Sequence, residues 1–275
     1  MLRNLNDLKD YAIHATDGDI GHVKDCYFDD EAWAVRYLVV DTGNWLPGRK
    51  VLISPISIRQ PDWQEKTLPV SISQEQVKNS PDVDTEKPVS RQHESLYLGY
   101  YGYPMYWGGM GLWGPGAYPG VLIPSSTDMG TPSNLSRQPE FNELSAEAGE
   151  QDQHNDMHLH SCNDVVDYHI HATDGHIGHV SGFLLDDETW AIRYLIVDTS
   201  NWWLGHQVLI APKWIEGIEW LDRTVNVDLT RDAIKEAVPY DKTADLDRDG
   251  EVDIYNHYGR VGYWAEDVET EKKIG

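Results

Sequence analysis

The chain carries one long segment twice, and this internal repeat constrains its fold more than any other sequence feature. Residues 11–58 align with residues 168–215 without a gap, and roughly 30 of the 48 aligned pairs are identical. A weaker match continues to Tyr106-Trp107 in the first copy and Tyr263-Trp264 in the second. Two copies with so long a period indicate a tandem duplication, because a solenoid needs three or more short repeats.

The limits of the repeat divide the chain into four parts. We expect a first module at residues 1–107, a linker at 108–165, a second module at 166–264 and a charged tail at 265–275. The linker is first rich in Gly, Pro and aromatic residues and then polar and acidic, which is typical of an irregular or flexible connection. Each module has about 100 residues, a usual size for one small domain.

Within each module the pattern is mostly that of strands. Asp17-Gly18 lies between two β-rich runs, which predicts a tight hairpin, and residues 33–40 form an apolar run typical of a central strand. Ser73 and Gln76 are spaced like a capping box, and Thr230 is placed to cap the second copy, so a short helix is expected after each sheet. The predicted fold is mainly β, with two small antiparallel barrels each followed by a short helix.

Composition limits the class of partner. The formal net charge is −24 and the sequence pI about 4.6, which disfavours nucleic acid and anionic membranes and leaves basic protein surfaces or cations. Cys26 and Cys162 are the two cysteines, too few for a disulfide framework, so a reducing cytoplasm is expected. The N-terminal residues do not resemble a signal peptide, and no apolar run is long enough to predict a spanning helix.

Several motifs of the repeat closely resemble the PRC-barrel family. They are ATDG at 15–18, IGHV at 20–23, VRYLVVDT at 35–42 and VLISP at 51–55, and the second copy has the same pattern from Ala172 to Pro212. The family includes the cytoplasmic domain of the photosynthetic reaction centre H subunit and a domain of a ribosome-maturation protein. The stand-alone bacterial members are similar in a further motif, which here reads Tyr258-Gly259-Arg260 followed by Tyr263-Trp264.

The resemblance implies a small barrel used for protein contact, with no catalytic residue and no cofactor. We therefore expect a non-catalytic binding or scaffolding protein, cytoplasmic or peripheral to a membrane, that docks on a membrane or electron-transfer complex such as a reaction centre. We also expect the two modules to pair within the chain as a pseudo-dimer, because duplicated modules keep self-complementary surfaces. The alternatives are an acidic protein that responds to calcium and, more weakly, a factor like the ribosome-maturation protein.

One acidic segment resembles a calcium loop. It has acidic residues at the spacing of the loop and Gly250 at the position of its sharp turn, whereas Asn256 stands where a bidentate Glu is usual. Calcium is therefore expected to bind only weakly, and the first module has no such spacing. The candidate ligands are Asp245, Asp247, Asp249, Glu251 and Asp253.

Exposed aromatic residues are the candidate contacts with a protein partner. The uncharged stretch 96–124 is too aromatic for a free spacer, so we expect its first part to pack on its own barrel and the part from Gly108 onward to reach the other barrel or a partner. Trp45 and Trp202 lie in the loop after the central strand of each copy, where anchoring a partner and packing in the core are both open. The predicted partner contacts are Trp45, Trp202, Tyr103, Trp107 and Trp113.

The remaining polar motifs favour structural roles. Arg36 and Arg193 lie in apolar strands and need carboxylate partners, with Asp41/Asp198 or Asp29/Asp186 within reach. The acidic run 29–31 is expected to be a solvated turn. Two groups of histidines could bind a metal, although turn hydrogen bonds and a flexible linker are the favoured interpretations. These groups are His14 and His22 with their counterparts His171 and His179, and His154, His158, His160 and Cys162.

Overall fold

The computed structural model describes residues 1–81, 89–107, 109, 111–122, 157–199 and 206–265. The described residues cluster into two units. The N-terminal unit contains those of 6–164 together with 188–191, and the C-terminal unit contains 1–5, 165–187 and those from 192 onward. Neither unit is one uninterrupted stretch of chain.

Short strands and a few helices make up both units, in the following order along the chain. The strands are β1 (Leu2–Asn4), β2 (Ala12–Ala15), β3 (Gly18–Asp29), β4 (Ala34–Asp41), β5 (Lys50–Ile53), β6 (Thr67–Pro69), β7 (Val89–Ser90), β8 (Met157–Ser161), β9 (His169–Ala172), β10 (Gly175–Asp186), β11 (Ile192–Asp198), β12 (Gln207–Ile210), β13 (Ile215–Glu219) and β14 (Thr224–Val227). The helices are α1 (Gln74–Lys78), α2 (Arg91–Tyr101), α3 (Cys162–Val165), α4 (Arg231–Lys235) and α5 (Arg248–His257).

The two sheets repeat one strand order. In the N-terminal unit the order is β5-β4-β3-β2-β6, and in the C-terminal unit it is β12-β11-β10-β9-β14-β13. The pairs β2–β6 and β9–β14 are parallel, and the other pairs are antiparallel. The prediction of a mainly β fold is confirmed. The described strands pair as open, mixed sheets rather than as closed antiparallel barrels, because the end strands of each order are not hydrogen-bonded to each other.

The first hairpin and the two helix caps are present where the local sequence patterns predict them. Thr16 and Asp17 form the turn between β2 and β3, Gly18 begins β3 directly after it, and β4 is buried over all residues but its last. Ser73 caps α1 with the full capping box that Gln76 completes, and the Thr230 side chain accepts from the backbone N–H of Ala233 at the start of α4. The longer helices α2 and α5 follow these short ones and do not appear in the sequence prediction.

Each unit also contains a short strand that belongs, by sequence, to the other copy of the repeat. Strand β1 pairs antiparallel with the end of β10, and β8 pairs antiparallel with the end of β3. Arg3 faces Leu185 in the first pairing, and His160 faces Phe28 in the second. Arg3 and His160 occupy the same position of the repeat, and so do Leu185 and Phe28, so the two registers are equivalent. We call β1 and β8 the exchanged strands.

The second exchanged strand corrects the predicted linker. Residues 157–165 form β8 and α3 instead of a flexible connection, and Leu159 in β8 is fully buried. The linker from 108 is also ordered at 111–122, where Trp113 and Leu122 are buried and Pro119–Leu122 forms a 3-10 turn.

A glycine in each copy allows two strands to approach closely. A Cβ atom on Gly21 would collide with the backbone carbonyl oxygen of Asp41, and one on Gly178 would collide with that of Asp198. Gly178 also has a positive φ of 71°, which costs energy for any residue with a Cβ. Gly178 lies at an irregularity in the pairing of β10 with β9, and Gly21 lies next to one in the pairing of β3 with β2, so both glycines let the backbone pass close to the end of the other neighbouring strand.

This contact predicts unequal effects of two glycine substitutions in the C-terminal unit. Gly178→Ala should lower the free energy of unfolding by about 2–4 kcal/mol, because it adds a backbone collision to an unfavourable φ. Gly217→Ala is the matched control in β13: its added methyl group meets open space, and the change should be neutral or stabilising by up to about 1 kcal/mol. Urea denaturation of the two variants measures the difference, and equal midpoints would contradict the proposed contact.

Candidate functional site

The most buried cation of the N-terminal unit is Arg36 in β4. Its side chain is 2 % exposed, and its guanidinium pairs with Asp29 at 3.2 Å and donates to the carbonyl oxygen of Leu112 at 2.8 Å. The rings of Tyr106 and Trp113 lie 3.8 and 4.6 Å from the guanidinium carbon. A buried guanidinium needs such partners, and of the two predicted carboxylates Asp29 supplies the charge.

Asp29 is therefore not a solvated turn residue, and the prediction for it is wrong. It is 2 % exposed, and its second carboxylate oxygen accepts hydrogen bonds from the backbone N–H groups of Glu31 and Ala32. The carboxylate thus has two functions: it neutralises Arg36, and it stabilises the turn after β3. The second copy repeats the pair, with Arg193 and Asp186 3.1 Å apart.

A second buried carboxylate, Glu94 in α2, connects four parts of the N-terminal unit. One oxygen accepts from the hydroxyl groups of Tyr37 at 2.9 Å and Tyr106 at 2.6 Å, and the other lies 2.6 Å from Nε2 of His158 in β8. The side chains of Glu94 and His158 are 0 % and 6 % exposed. We call Glu94, Tyr37, Tyr106 and their counterparts in the C-terminal unit the carboxylate–tyrosine clusters.

The C-terminal unit contains the same cluster. Glu251 in α5 accepts from the hydroxyl groups of Tyr194 and Tyr263, both at 2.9 Å, and Arg248 lies 2.8 Å from its second oxygen. Glu251 is therefore a buried structural acceptor. In the N-terminal unit the counterpart of Arg248 is Arg91, which lies 3.9 Å from Glu94 and is accompanied there by His158.

The sequence does not single out Glu94, although one signal points to it. Glu94 and Glu251 stand at the same repeat offset as the two tyrosines of each cluster. Aligning the copies beyond residue 58 therefore adds two matched positions, Glu94 with Glu251 and Tyr106 with Tyr263, to the match of Tyr37 with Tyr194. The exchanged strands carry a similar signal. Asn6-Asp7 and Asp10-Tyr11 recur as Asn163-Asp164 and Asp167-Tyr168, which extends the repeat into the predicted linker.

The predicted partner contacts fall into different environments. Trp113 is 1 % exposed and its indole N–H donates to the carbonyl oxygen of Thr189 at 2.8 Å, so it belongs to the core of its unit and offers no surface to a partner. Tyr103 and Trp107 are half-buried, and Trp107 lies under the guanidinium of Arg91. Trp45, in the loop after β4, is half-buried as well. Trp202 lies outside the described residues.

The loop that carries Trp45 is held by several hydrogen bonds. The Thr42 hydroxyl donates to the carbonyl oxygens of Leu46 and Arg49, both at 2.7 Å, and the Trp45 N–H donates to the carbonyl oxygen of Thr42. Arg49 in turn donates to the backbone carbonyl groups of Lys78 and Ser80 at the end of α1. Trp45 is thus presented on a fixed loop, which lowers the entropy cost of contact with a partner.

The predicted calcium ligands do not converge. Asp247 caps α5 by accepting from the N–H of Gly250 at 2.9 Å, Glu251 is buried in its cluster, and the helix already begins at Arg248. Asp245, Asp249 and Asp253 are exposed. Among the described residues no group of three or more His, Cys, Asp or Glu side chains is arranged to hold a metal ion.

Calcium binding by this segment stays a prediction. Isothermal titration of the full chain with millimolar calcium should give weak heat that disappears in the double variant Asp245→Ala/Asp249→Ala, because both exposed carboxylates belong to the predicted loop. Asp222→Ala removes an exposed carboxylate elsewhere in the unit and serves as the control. A parent chain that gives no heat would show that the spacing alone does not make a site.

The histidines that could bind a metal have other partners. His158 contacts Glu94 and His160 lies 3.3 Å from Asp30, while Cys162 is buried and His154 lies outside the described residues. In the first hairpin the His14 ring contacts Asp19 at 2.5 Å. Polar neighbours within the same unit are therefore present at His14, His158, His160 and His171, the last of which contacts Asn226 at 3.1 Å.

The buried tyrosines of both units resist ionisation. Burial, together with the neighbouring Glu94 carboxylate, raises the pKa of Tyr37 and of Tyr106 well above its ordinary value. Burial also raises the pKa of Tyr103 to about 12 and that of Tyr263 to about 12. A neutral hydroxyl is needed at these places, because it donates to a carboxylate or packs in the core.

These pKa values predict loss of stability in alkali. Each raised pKa means that the unfolded chain loses its tyrosine protons near pH 10 while the folded chain keeps them. The stabilisation that these tyrosines contribute should be complete below about pH 10 and should be lost as the pH rises from there towards 12 and above. Absorbance of tyrosinate should rise together with the loss of β-sheet circular dichroism. Complete ionisation of the tyrosines in a chain that stays folded would contradict this.

Comparison with known proteins identifies the first copy. Residues 2–76 match the family model of the PRC-barrel domain, and no curated protein matches the chain. The matched segment runs from β1 into α1 and so contains the buried Arg36–Asp29 pair and the loop that carries Trp45. The family resemblance of the sequence motifs is confirmed there: residues 2–76 are a PRC-barrel domain.

Proposed function

We propose that the chain is a non-catalytic binding or scaffolding protein built from two PRC-barrel modules, in which the second copy has the fold and role of the first. The proposal rests on one observation: the polar side chains that recur in both copies make buried contacts that hold each unit together. Glu94 and Glu251 each accept from two tyrosines, and Arg36 and Arg193 each pair with an aspartate at the end of a strand. A duplication that preserves these internal contacts supports a rigid module that acts by binding through its surface.

The exchanged strands support an intramolecular pair of modules. Each unit contains a strand from the other copy, in equivalent register, as two subunits of a strand-exchanged dimer would. Joining the copies in one chain makes this exchange intramolecular and raises the effective concentration of each strand.

Charge and the family indicate the kind of partner. A net charge of −24 favours a partner with basic patches and an association that weakens as salt is added. Among the described residues no helix is long and apolar enough to cross a membrane. The family analogy adds a membrane or electron-transfer complex, such as a reaction centre, as the partner, on which the chain docks from the cytoplasmic side.

Trp45 is the residue that we assign to the partner contact. It is only partly buried, it is large, and its loop is fixed by Thr42 and Arg49. Tryptophan is over-represented among residues that dominate binding energy, and a fixed loop reduces the entropy that binding costs. Trp113 is no alternative, because its ring is buried against Arg36.

Affinity capture with the full chain tests this proposal. The chain is immobilised, exposed to cytoplasmic and membrane fractions, and any bound protein is purified for measurement of Kd. Trp45→Ala should weaken that Kd by about tenfold or more while the thermal midpoint stays nearly unchanged, because a surface anchor contributes to binding and little to folding. Leu221→Ala removes a fully exposed apolar side chain of the other unit and is the control.

Two outcomes would oppose the proposal. An equal Kd for the parent chain and Trp45→Ala would remove Trp45 from the contact, and salt-dependent capture of RNA in place of a protein would favour the ribosome-related alternative. Binding that appears only with calcium would favour the calcium-responsive alternative.

A further inference from the structure

We propose that Cys26 and Cys162 form a disulfide site that connects the exchanged strand β8 covalently to β3. The pairing of these two strands is antiparallel, with Tyr27 facing Ser161 and Phe28 facing His160. Cys26 and Cys162 are the residues that adjoin the Tyr27–Ser161 pair, and Cys162, directly after β8, is the first residue of α3. The two cysteines of the chain, 136 positions apart in sequence (26 and 162), are thereby brought to the same end of the β3–β8 pairing.

The adjoining pair, Tyr27 with Ser161, brings the two chain segments to the spacing that a disulfide needs. Directly opposed residues of an antiparallel pair have Cα atoms about 4.5–5.5 Å apart, and disulfides usually join Cα atoms about 4.4–6.8 Å apart. Both thiols are free in the structure and both are buried, with residue exposures of 4 % and 6 %.

Asp25 holds the chain on both sides of Cys162. Its carboxylate accepts from the Ser161 hydroxyl at 2.5 Å and from the Asn163 N–H at 3.2 Å, and the Asn163 side chain donates to the carbonyl oxygen of Lys24. The residues before and after Cys162 are thus fixed to the residues before Cys26. This arrangement keeps the two cysteines opposed without any bond between their sulfur atoms.

The C-terminal unit shows how this position packs without cysteine. Leu5 stands at the repeat offset of Cys162, and Phe183 stands at that of Cys26. Both are buried, at 5 % and 1 % exposure. Two apolar side chains therefore suffice to pack this position, whereas the N-terminal unit has two groups there that can form a covalent bond.

The bond forms by thiol–disulfide exchange with a small disulfide such as oxidised glutathione. One cysteine, as thiolate, attacks the oxidant and forms a mixed disulfide while one glutathione thiol leaves; the second cysteine then displaces the other glutathione. Two protein thiols are oxidised, one glutathione disulfide is reduced to two thiols, and the two protons pass to these leaving groups. Burial raises the pKa of both cysteines, so exchange requires β8 to open and is slow in the folded chain.

Oxidation of the full chain tests the assignment. The reduced chain is incubated with excess oxidised glutathione in two ways, once folded and once during refolding from denaturant. In the refolding sample both thiols are exposed to the oxidant, so β8 does not have to open first. We expect a monomer that has lost two hydrogen atoms in mass, has no free thiol in denaturant, and yields one crosslinked peptide pair containing Cys26 and Cys162. Amide hydrogen exchange in β8 should slow by about tenfold or more in this species, because the strand can no longer separate freely.

Single variants are the controls. Cys26→Ala and Cys162→Ala should each leave one thiol that forms only a glutathione adduct, with the β-sheet circular dichroism of the parent chain. The proposal is overturned if both thiols of the parent remain free after refolding in the oxidant. It is equally overturned if the product is a disulfide between two copies of the chain, or if each cysteine carries its own glutathione.

Discussion

The contact on which the rest of the structure depends is a buried carboxylate that accepts from two tyrosines. Glu94 lies on a helix, Tyr37 on the central sheet and Tyr106 on the segment that follows, so one side chain joins parts of the chain that do not pair through their backbones. Removing one member of such a buried group leaves the others without partners, which costs about 3–5 kcal/mol. His158 joins the same carboxylate from β8, which makes the exchanged strand part of this core.

Most of the first sheet could be predicted from local patterns, because they act over short distances. The Asp17-Gly18 turn, the apolar run of β4 and the capping box at Ser73 each depend on neighbouring residues alone. The open ends of the sheets and the parallel pairing of β2 with β6 depend on contacts between distant segments, which periodicity does not report. Many short strands predict a β-rich fold, but they do not determine whether its sheets close into barrels.

The candidate site was less predictable, since identical residue types occupy core and surface. Trp45 and Trp113 look alike in sequence, yet one lies on a fixed loop and the other packs on Arg36. Acidic spacing at residues 245–253 resembles a calcium loop, but Asp247 is used as a helix cap and Glu251 as a buried acceptor. In each case the competing use is a long-range contact or a helix start that only the folded chain reveals.

The exchanged strands have a consequence for the way the chain is made. Synthesis on the ribosome produces β3 early, but its partner β8 exists only after Met157–Ser161 has been added, so the N-terminal unit cannot be completed as a first, independent step. The C-terminal unit has the opposite timing, because β1 is made first and must wait for β10. The two units therefore cannot fold one after the other during synthesis. Each sheet keeps an unpaired strand edge until the other copy of the repeat has been made, so both sheets are completed in one late step.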